Sequence, residues 1–403
     1  MIYKNIVKKF ERKVNMPDIV GIICEYNPFH KGHKYQIDCI KNQMPDASVV
    51  AIMSGNVVQR GEFAMLDKRA RAKIALDMGV DLVLEMPYPY SGSCAEIFAN
   101  AGVDIANNIG CTHLCFGIEE LNAEEINKIA ERINSADFEA EIKKAIEDKS
   151  VSYIVAKEIA LSAINCSMPK SSNDMLAVEY MRAIKNKGYD IECLPIKRIG
   201  ARYTDLNECE IMSAGAIRKA FYEEGKLNSI PNEIVELYNK EIANGIVLNQ
   251  NEFFDFIHRQ VVLLDAQTLE ESFDCAYGMG HYVKEVAKKS KGGNDFVNKL
   301  TSKRYTTARL KRLIMYSIFG VKAVEKSIDF AVLLATNKKG KAIVSSAKKN
   351  GFVIVTKHSD AKKLDPVSKK TLDLDFFVDE LFNTLLKNKQ KTELAYKKKP
   401  IIE

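Results

Sequence analysis

Apolar positions in the first 125 residues alternate between two rhythms. Four short runs, Ile19–Cys24, Ser48–Ser54, Leu82–Glu85 and Leu114–Ile118, are nearly unbroken, as strands buried on both faces are. Between and after them, residues 34–43, 67–78, 95–109 and 124–147 carry apolar side chains at helical spacing. This βαβα order predicts an α/β fold: a parallel sheet with helices on both faces and a ligand at the carboxyl ends of the strands. A helical insertion runs to about Ser162, followed by a helix over 171–187, a strand over 191–199 and a helix over 213–222. The pattern places a first large domain at 17–225, a mostly helical region at 226–328 and a small α/β region at 329–403. In the last region, strands at 330–335 and 352–356 and helices at 340–350 and 374–386 are expected, with a frayed lysine-rich end. Residues 1–16 form a basic N-terminal extension with apolar residues Ile2, Ile6, Val7 and Phe10.

Candidate chemistry sits where the first strand gives way to the first helix. The strand breaks at Asn27 and Pro28, and the helical pattern resumes near Gly32. His30 and His33 lie three residues apart in this turn. A helix N-terminus offers free N–H groups and a partial positive charge, so it favours phosphate. Two imidazoles add N–H donors for the same anion, which suggests a nucleotide triphosphate site. The plainer reading is a turn with two surface histidines.

Composition narrows the setting. No apolar run approaches the length of a membrane span, and the charged N-terminus does not fit a secretory signal. Nine scattered cysteines without a Cys-x-x-Cys pair read as reduced thiols of a cytoplasmic protein, with no metal site. Net charge is +6, unevenly spread. Residues 1–280 carry 31 Lys/Arg against 41 Asp/Glu, whereas residues 281–403 carry 28 against 12. A basic end on an acidic body suits a polyanionic partner; a solvated lysine-rich surface is the plainer account.

The segment Glu25–His33 (EYNPFHKGH) contains the His-x-Gly-His signature of nucleotidyltransferases and, at full length, resembles the bacterial tRNA(Met) cytidine acetate ligase family. The resemblance continues at Met53–Gly55, Gln59–Glu62 (QRGE), Asp67–Arg71 (DKRAR), Gly79–Pro87, Phe116–Gly117, Ser172–Ala177, Arg198–Ile199 and Arg304–Arg312 (RYTTARLKR). It covers nearly the whole chain from Met16, the usual start in such a family. It implies a Rossmann-like nucleotidyltransferase domain. It also implies ATP, with Mg²⁺ accompanying the nucleotide, acetate as the acyl source and elongator tRNA(Met) as acceptor.

ATP contacts are implied along residues 23–36, that is Ile23, Cys24, Glu25, Tyr26, Asn27, Pro28, Phe29, His30, Lys31, Gly32, His33, Lys34, Tyr35 and Gln36. Further implied contacts are Gly117, Asn173, Arg198 and Ile199. Asn173 reads equally well as a helix N-cap. Arg198 and Arg218 are candidates for the outer phosphates, because a planar guanidinium can clamp two oxygens at once; Ser213–Arg218 (SAGAIR) resembles a second superfamily motif, although Ala214 and Gly215 depart from it, which leaves Ser213 as its hydroxyl contact. His30 and His33 are the candidate catalytic pair. Lys68, Arg69 and Arg71 share a helix start and face either a polyanion or solvent. Tyr305, Arg309 and Arg312 fall at i, i+4, i+7, so Arg309 and Arg312 are candidate RNA contacts.

Three functions therefore compete: an RNA-acetylating ligase, a metabolic nucleotidyltransferase acting on a small phosphorylated precursor, and a non-catalytic nucleotide- or RNA-binding protein. The ligase would form acetyl-adenylate and pass acetyl to N4 of the wobble cytidine.

Overall fold

A computed structural model describes residues 17–147, 153–199, 211–302, 304–388 and 399–403; the N-terminal extension at 1–16 lies outside them. The strands β1 (Ile19–Cys24), β2 (Ser48–Ser54), β5 (Leu82–Met86), β6 (His113–Ile118) and β7 (Glu192–Lys197) run parallel to one another. They join β8 (Phe330–Thr336) and β10 (Ile401–Ile402) in the order β10-β8-β5-β2-β1-β6-β7, and β9 (Val353–Val355) also pairs with β8. Every residue of β2 and β5 is buried, as the unbroken apolar runs require. A short antiparallel pair, β3 (Val57–Val58) and β4 (Glu62–Phe63), projects beyond the end of β2.

The crossover helices are α1 (Lys31–Gln43), α2 (Lys68–Asp77) and α3 (Ala95–Asn108). The expected helix over 124–147 is two helices, α4 (Ala123–Ile133) and α5 (Ala136–Glu147). Asn134 and Ser135 divide them: their backbone N–H groups turn to Ala130, Glu131 and Arg132 carbonyls, and the Ser135 hydroxyl accepts from Phe138 N–H. The insertion continues through α6 (Tyr153–Ala163), and α7 (Ser172–Lys187) packs back on β6.

After α8 (Ala214–Glu224), the residues between 226 and 328 form α9 (Asn232–Ala243), α10 (Gln250–Leu263), α11 (Ala266–Glu270), α12 (Met279–Lys288), α13 (Gly293–Lys299) and α14 (Thr307–Ile318). Their core is shared. Phe253, Leu313 and Tyr316 pack with Val57, Phe63 and Tyr88 from the first domain, and with Val378 and Phe382 from near the C-terminus.

The strands β8 and β10, from residues expected to form a small α/β region of their own, belong to the central sheet. β8 pairs antiparallel with β5 and extends the central sheet. The reason lies in its sequence, FAVLLAT, which is apolar on both faces and buried throughout, so it needs a sheet neighbour and cover on both sides. Of the end expected to fray, Ile401 and Ile402 pair with Ala335 and Thr336, and residues 389–398 lie outside the described residues. The last helices, α15 (Lys338–Lys349) and α16 (Pro366–Thr384), follow β8 and β9.

Two of the three basic residues at the start of α2 face inward, not toward a polyanion. Lys68 is buried, with Nζ 2.5 Å from Glu85, 2.6 Å from Asp379 and 3.1 Å from Asp375. Burial opposes its charge, but three carboxylates outweigh that and push its pKa up. Arg71 is also buried and donates to the carbonyls of Glu25 (2.6 Å), Gly55 (2.6 Å), Leu66 (3.0 Å) and Ser54 (3.2 Å).

Candidate active site

The turn after β1 is built to hold two imidazoles. Tyr26 adopts φ +48°, a left-handed conformation unusual for a bulky residue, and its buried ring fixes it there. That ring meets Phe29 edge-on at 4.8 Å and His33 at 4.9 Å. Phe29 is itself held by Tyr238, whose hydroxyl accepts its N–H at 2.9 Å. Arg71 clamps the Glu25 carbonyl from behind.

His30 is the N-cap of α1. Its Nδ1 accepts the Gly32 N–H at 3.0 Å, and His33 Nδ1 accepts the His30 N–H at 3.2 Å. With Nδ1 an acceptor in both rings, each neutral imidazole carries its proton on Nε2. The rings stack at 3.8 Å and 23°. Burial, reinforced by nearby Arg198, pulls His30 down to about 4. Burial, His30 and Arg198 hold His33 well below the usual histidine range. Both are therefore neutral at pH 7, single Nε2–H donors in fixed orientation.

A cleft of about 540 Å³ opens over this turn, within the range of about 300–1,000 Å³ usual for small-molecule sites. It brings together Ile23, Cys24, Glu25, Tyr26, Asn27, His30, His33, Gln36, Gly117, Asn173, Arg198, Ser213 and Arg218. An adjoining cavity of about 300 Å³ adds Gly32, Tyr35 and Ile199. Pro28, Phe29, Lys31 and Lys34 line neither. Phe29 is buried in the core, and Lys34 points to Asp38 at 2.5 Å.

The far wall comes from β6, β7 and α7. Gly117 pairs with Ile196 in the sheet, and the space a Cβ would take there belongs to Arg198, 3.0 Å away. Asn173 is not the N-cap of α7; Ser171 is, accepting the Asp174 N–H. The Asn173 amide instead bonds Glu119, whose carboxylate lies 3.4 Å from Arg198 Nε. Asp174 secures this loop by accepting N–H groups of Glu119, Glu120 and Leu121. Burial raises its pKa, but those donors outweigh it and leave it lowered. The N-terminus of α8 forms a third wall. Ser213 caps it by accepting Ala216 N–H at 3.2 Å, and Arg218 donates to the Asn27 carbonyl at 2.6 Å. Two helix N-termini, two neutral N–H donors and arginines thus surround one cleft, an arrangement suited to an anionic, phosphate-bearing ligand.

The His-x-Gly-His turn on a parallel sheet has close counterparts. The HIGH Nucleotidyl Transferase family model matches residues 17–397. The tRNA(Met) cytidine acetate ligase of Fusobacterium nucleatum is 32% identical over 363 residues, covering 86% of this chain and 90% of that protein. That of Caldanaerobacter subterraneus is 33% identical over 390 residues, covering 92% and 96%. The chain belongs to the tRNA(Met) cytidine acetate ligase family. A crystal structure of the Thermotoga maritima member TmcAL bound with alpha-thio ATP superposes with a TM-score of 0.86 at 29% identity, over 96% of this chain and 99% of that one. Its apo form gives 0.87 at 27% identity, with the same coverage.

Within this ligase-family fold, the cleft also contains residues whose roles were not legible in the sequence. Phe98, Phe116, Leu176 and Tyr180 form an apolar wall, and Glu119, Gln59 and Arg60 supply polar groups. Gln59, Arg60 and Phe116 lie in segments that carried the family resemblance, which was the available signal; Phe98 and Tyr180 look like ordinary helix core. Among the described residues, the carboxylates close enough together to share a metal ion are Glu85, Asp375 and Asp379, and Lys68 Nζ sits among them.

The RNA candidates are less bare than helical spacing suggests. Tyr305 precedes α14 and is buried, not on its face. Arg309 pairs with Asp274 at 2.8 Å, and Arg312 donates to the Gln59 carbonyl at 3.3 Å.

Proposed function

We propose that this chain is an ATP-dependent acetate ligase that acetylates N4 of the wobble cytidine of elongator tRNA(Met). The observation that carries the reading is the stacked pair of neutral imidazoles at the N-terminus of α1, each with Nδ1 taken by a backbone N–H. Their Nε2–H groups are donors for the α- and β-phosphates. Acetate is already anionic at neutral pH, so attack on the α-phosphorus needs no general base. One acetate oxygen bonds to phosphorus as the bond to pyrophosphate breaks, and the electron pair leaves with pyrophosphate. The protein's part is alignment and charge cancellation. Arg198, Arg218, Ser213 and the N–H groups of α8 bind the outer phosphates, while Gly117, Asn173 and the apolar wall around Phe116 and Tyr180 take the nucleoside. Glu25 and Glu119 are the carboxylates that line the cleft among the described residues, and Mg²⁺ accompanying the nucleotide would be held there by phosphate oxygens and water.

In the second step the cytidine N4 attacks the acetyl carbonyl carbon, AMP leaves and N4 releases a proton. This exocyclic amine is conjugated with the ring and weakly nucleophilic, which suits a mixed-anhydride donor. The base must be splayed out of its loop, and the basic portion beyond residue 280, with Arg309 and Arg312, supplies phosphate contacts. The reading implies a cytoplasmic enzyme, and no described helix is long and apolar enough to cross a membrane. Incubation with labelled acetate, ATP and bulk tRNA tests it: acid-stable label in tRNA is expected. Turnover of ATP to pyrophosphate without acetate would point to a metabolic nucleotidyltransferase, and no turnover to a binding protein.

A further inference from the structure

We propose that Arg60 is the carboxylate-binding residue of the acetate subsite, held in place by α14; this rests on the ligase reading above. Among the described residues, three arginines line the cleft, and two are already engaged. Arg198 meets Glu119 and Asn173, and Arg218 holds the Asn27 carbonyl. Arg60 is exposed at the rim and makes no hydrogen bond or ion pair with any described residue.

Its place in the fold separates it from the nucleotide wall. Gly117 and Arg198 stand at the ends of β6 and β7, on one side of β1. Arg60 lies in the loop between β3 and β4, which follows β2 on the other side of β1. His30 and His33 sit between them at the end of β1. A nucleoside on the β6 side with phosphates over the imidazoles leaves the β2 side for the attacking group. A second anion there must overcome repulsion from the triphosphate, so it needs a cation that the triphosphate does not use. A guanidinium suits a carboxylate best, because its planar fork meets both oxygens at once.

The loop under Arg60 is braced on both sides. Gln59 N–H donates to Glu25 Oε1 at 2.9 Å, and the Gln59 carbonyl accepts from Arg312 at 3.3 Å. Glu62 pairs with Lys311. Gly61 has φ +71°, and a Cβ there would lie 2.4 Å from Arg312 N, so the backbone rests directly on α14. Acetate binding therefore orders one side chain on a fixed backbone, which limits its entropic cost.

The test is steady-state acetate-dependent ATP–pyrophosphate exchange on the full chain and its variants. Arg60→Ala should raise KM for acetate about 10- to 100-fold, the usual worth of a charge-assisted hydrogen bond. ATP affinity measured without acetate, and tRNA affinity, should stay within threefold. Arg60→Lys should fall between. Gly61→Ala should also raise the acetate KM by displacing the loop, yet add nothing in the Arg60→Ala background. An acetate KM within twofold of wild type in Arg60→Ala overturns the proposal. So does a parallel loss of ATP affinity, which would assign Arg60 to the phosphates, or a loss of tRNA affinity with normal acetate KM, which would assign it to RNA. Absence of exchange in the wild type would overturn the ligase reading and this proposal together, whereas the other outcomes leave that reading standing.

Discussion

His33→Asn separates what the imidazole does for structure from what it does for chemistry. Asn carries Oδ1 where His carries Nδ1, so it can still accept the His30 N–H now bonded at 3.2 Å. It cannot supply the Nε2–H. The stack on His30 at 3.8 Å and the edge contact with Tyr26 at 4.9 Å are lost, each worth about 0.5–1.5 kcal/mol. A total of roughly 1–3 kcal/mol leaves a domain of ordinary stability, about 5–15 kcal/mol, overwhelmingly folded at 25 °C. Loss of one preorganised donor to developing phosphate charge costs about 10²–10³ in rate, or roughly 2.7–4 kcal/mol. Partial unfolding cannot produce that loss. Acetate-dependent ATP–pyrophosphate exchange at saturating ATP, beside a thermal melt, measures both quantities. His33→Ala, which also orphans the His30 N–H, should lose as much rate and about 1 kcal/mol more stability. A folded His33→Asn protein exchanging within threefold of wild type would remove His33 from the mechanism.

Three further outcomes are expected. Below pH 6.5 the unfolded His30 takes up a proton that the folded ring refuses until about 4, so stability should fall as pH falls across that window, by about 3 kcal/mol in full; His30→Asn, which keeps an acceptor for Gly32 N–H, should flatten denaturant midpoints between pH 7 and 4, and an unchanged slope would refute the buried neutral state. Lys68→Met leaves three buried carboxylates without their cation and should cost about 3–5 kcal/mol in urea unfolding, partly restored by adding Asp379→Asn; a loss below 1 kcal/mol would contradict the ion cluster. Arg309→Glu should weaken tRNA binding and flatten its salt dependence by about one log–log unit while sparing pyrophosphate exchange, whereas Arg312→Glu should depress both because it holds the Gln59 carbonyl; equal effects on exchange would refute the distinction.

The sequence made the parallel strands legible because they are apolar on both faces, and the histidine turn because its chemistry is local. His30, His33 and the N-terminus of α1 lie within four residues, so their convergence needed no tertiary information. Gly117, Asn173, Arg198 and Ser213 reach the same cleft from elements far apart, and the family motifs rather than spacing pointed to them. Burial was not legible at Lys68 and Arg71. Two cations at a helix start look solvated until Glu85, Asp375 and Asp379, or four carbonyls, are brought to them by the fold. Nor could periodicity tell that β8 joins the central sheet: a short apolar strand carries no mark of its neighbour.

The tertiary contacts also change how the two half-reactions relate. A nucleotide domain followed by an independent RNA-docking region would let each be perturbed alone. Instead, the C-terminal third braces the cleft at two points. α16 brings Asp375 and Asp379 to Lys68, one turn of α2 before Arg71, and Arg71 fixes the carbonyl of Glu25 in the histidine turn. α14 supports the Gln59–Glu62 loop, whose other side meets the carboxylate of Glu25. Glu25 is thus held through its carbonyl from one side and its carboxylate from the other. A displacement of α14 would act on the Gln59–Glu62 loop through direct packing, since Gly61 leaves no side chain between loop and helix. A substitution in α14 is therefore expected to reach the histidine turn as well as the α14 surface, and pyrophosphate exchange by Arg312→Glu beside Arg309→Glu measures how far that support extends.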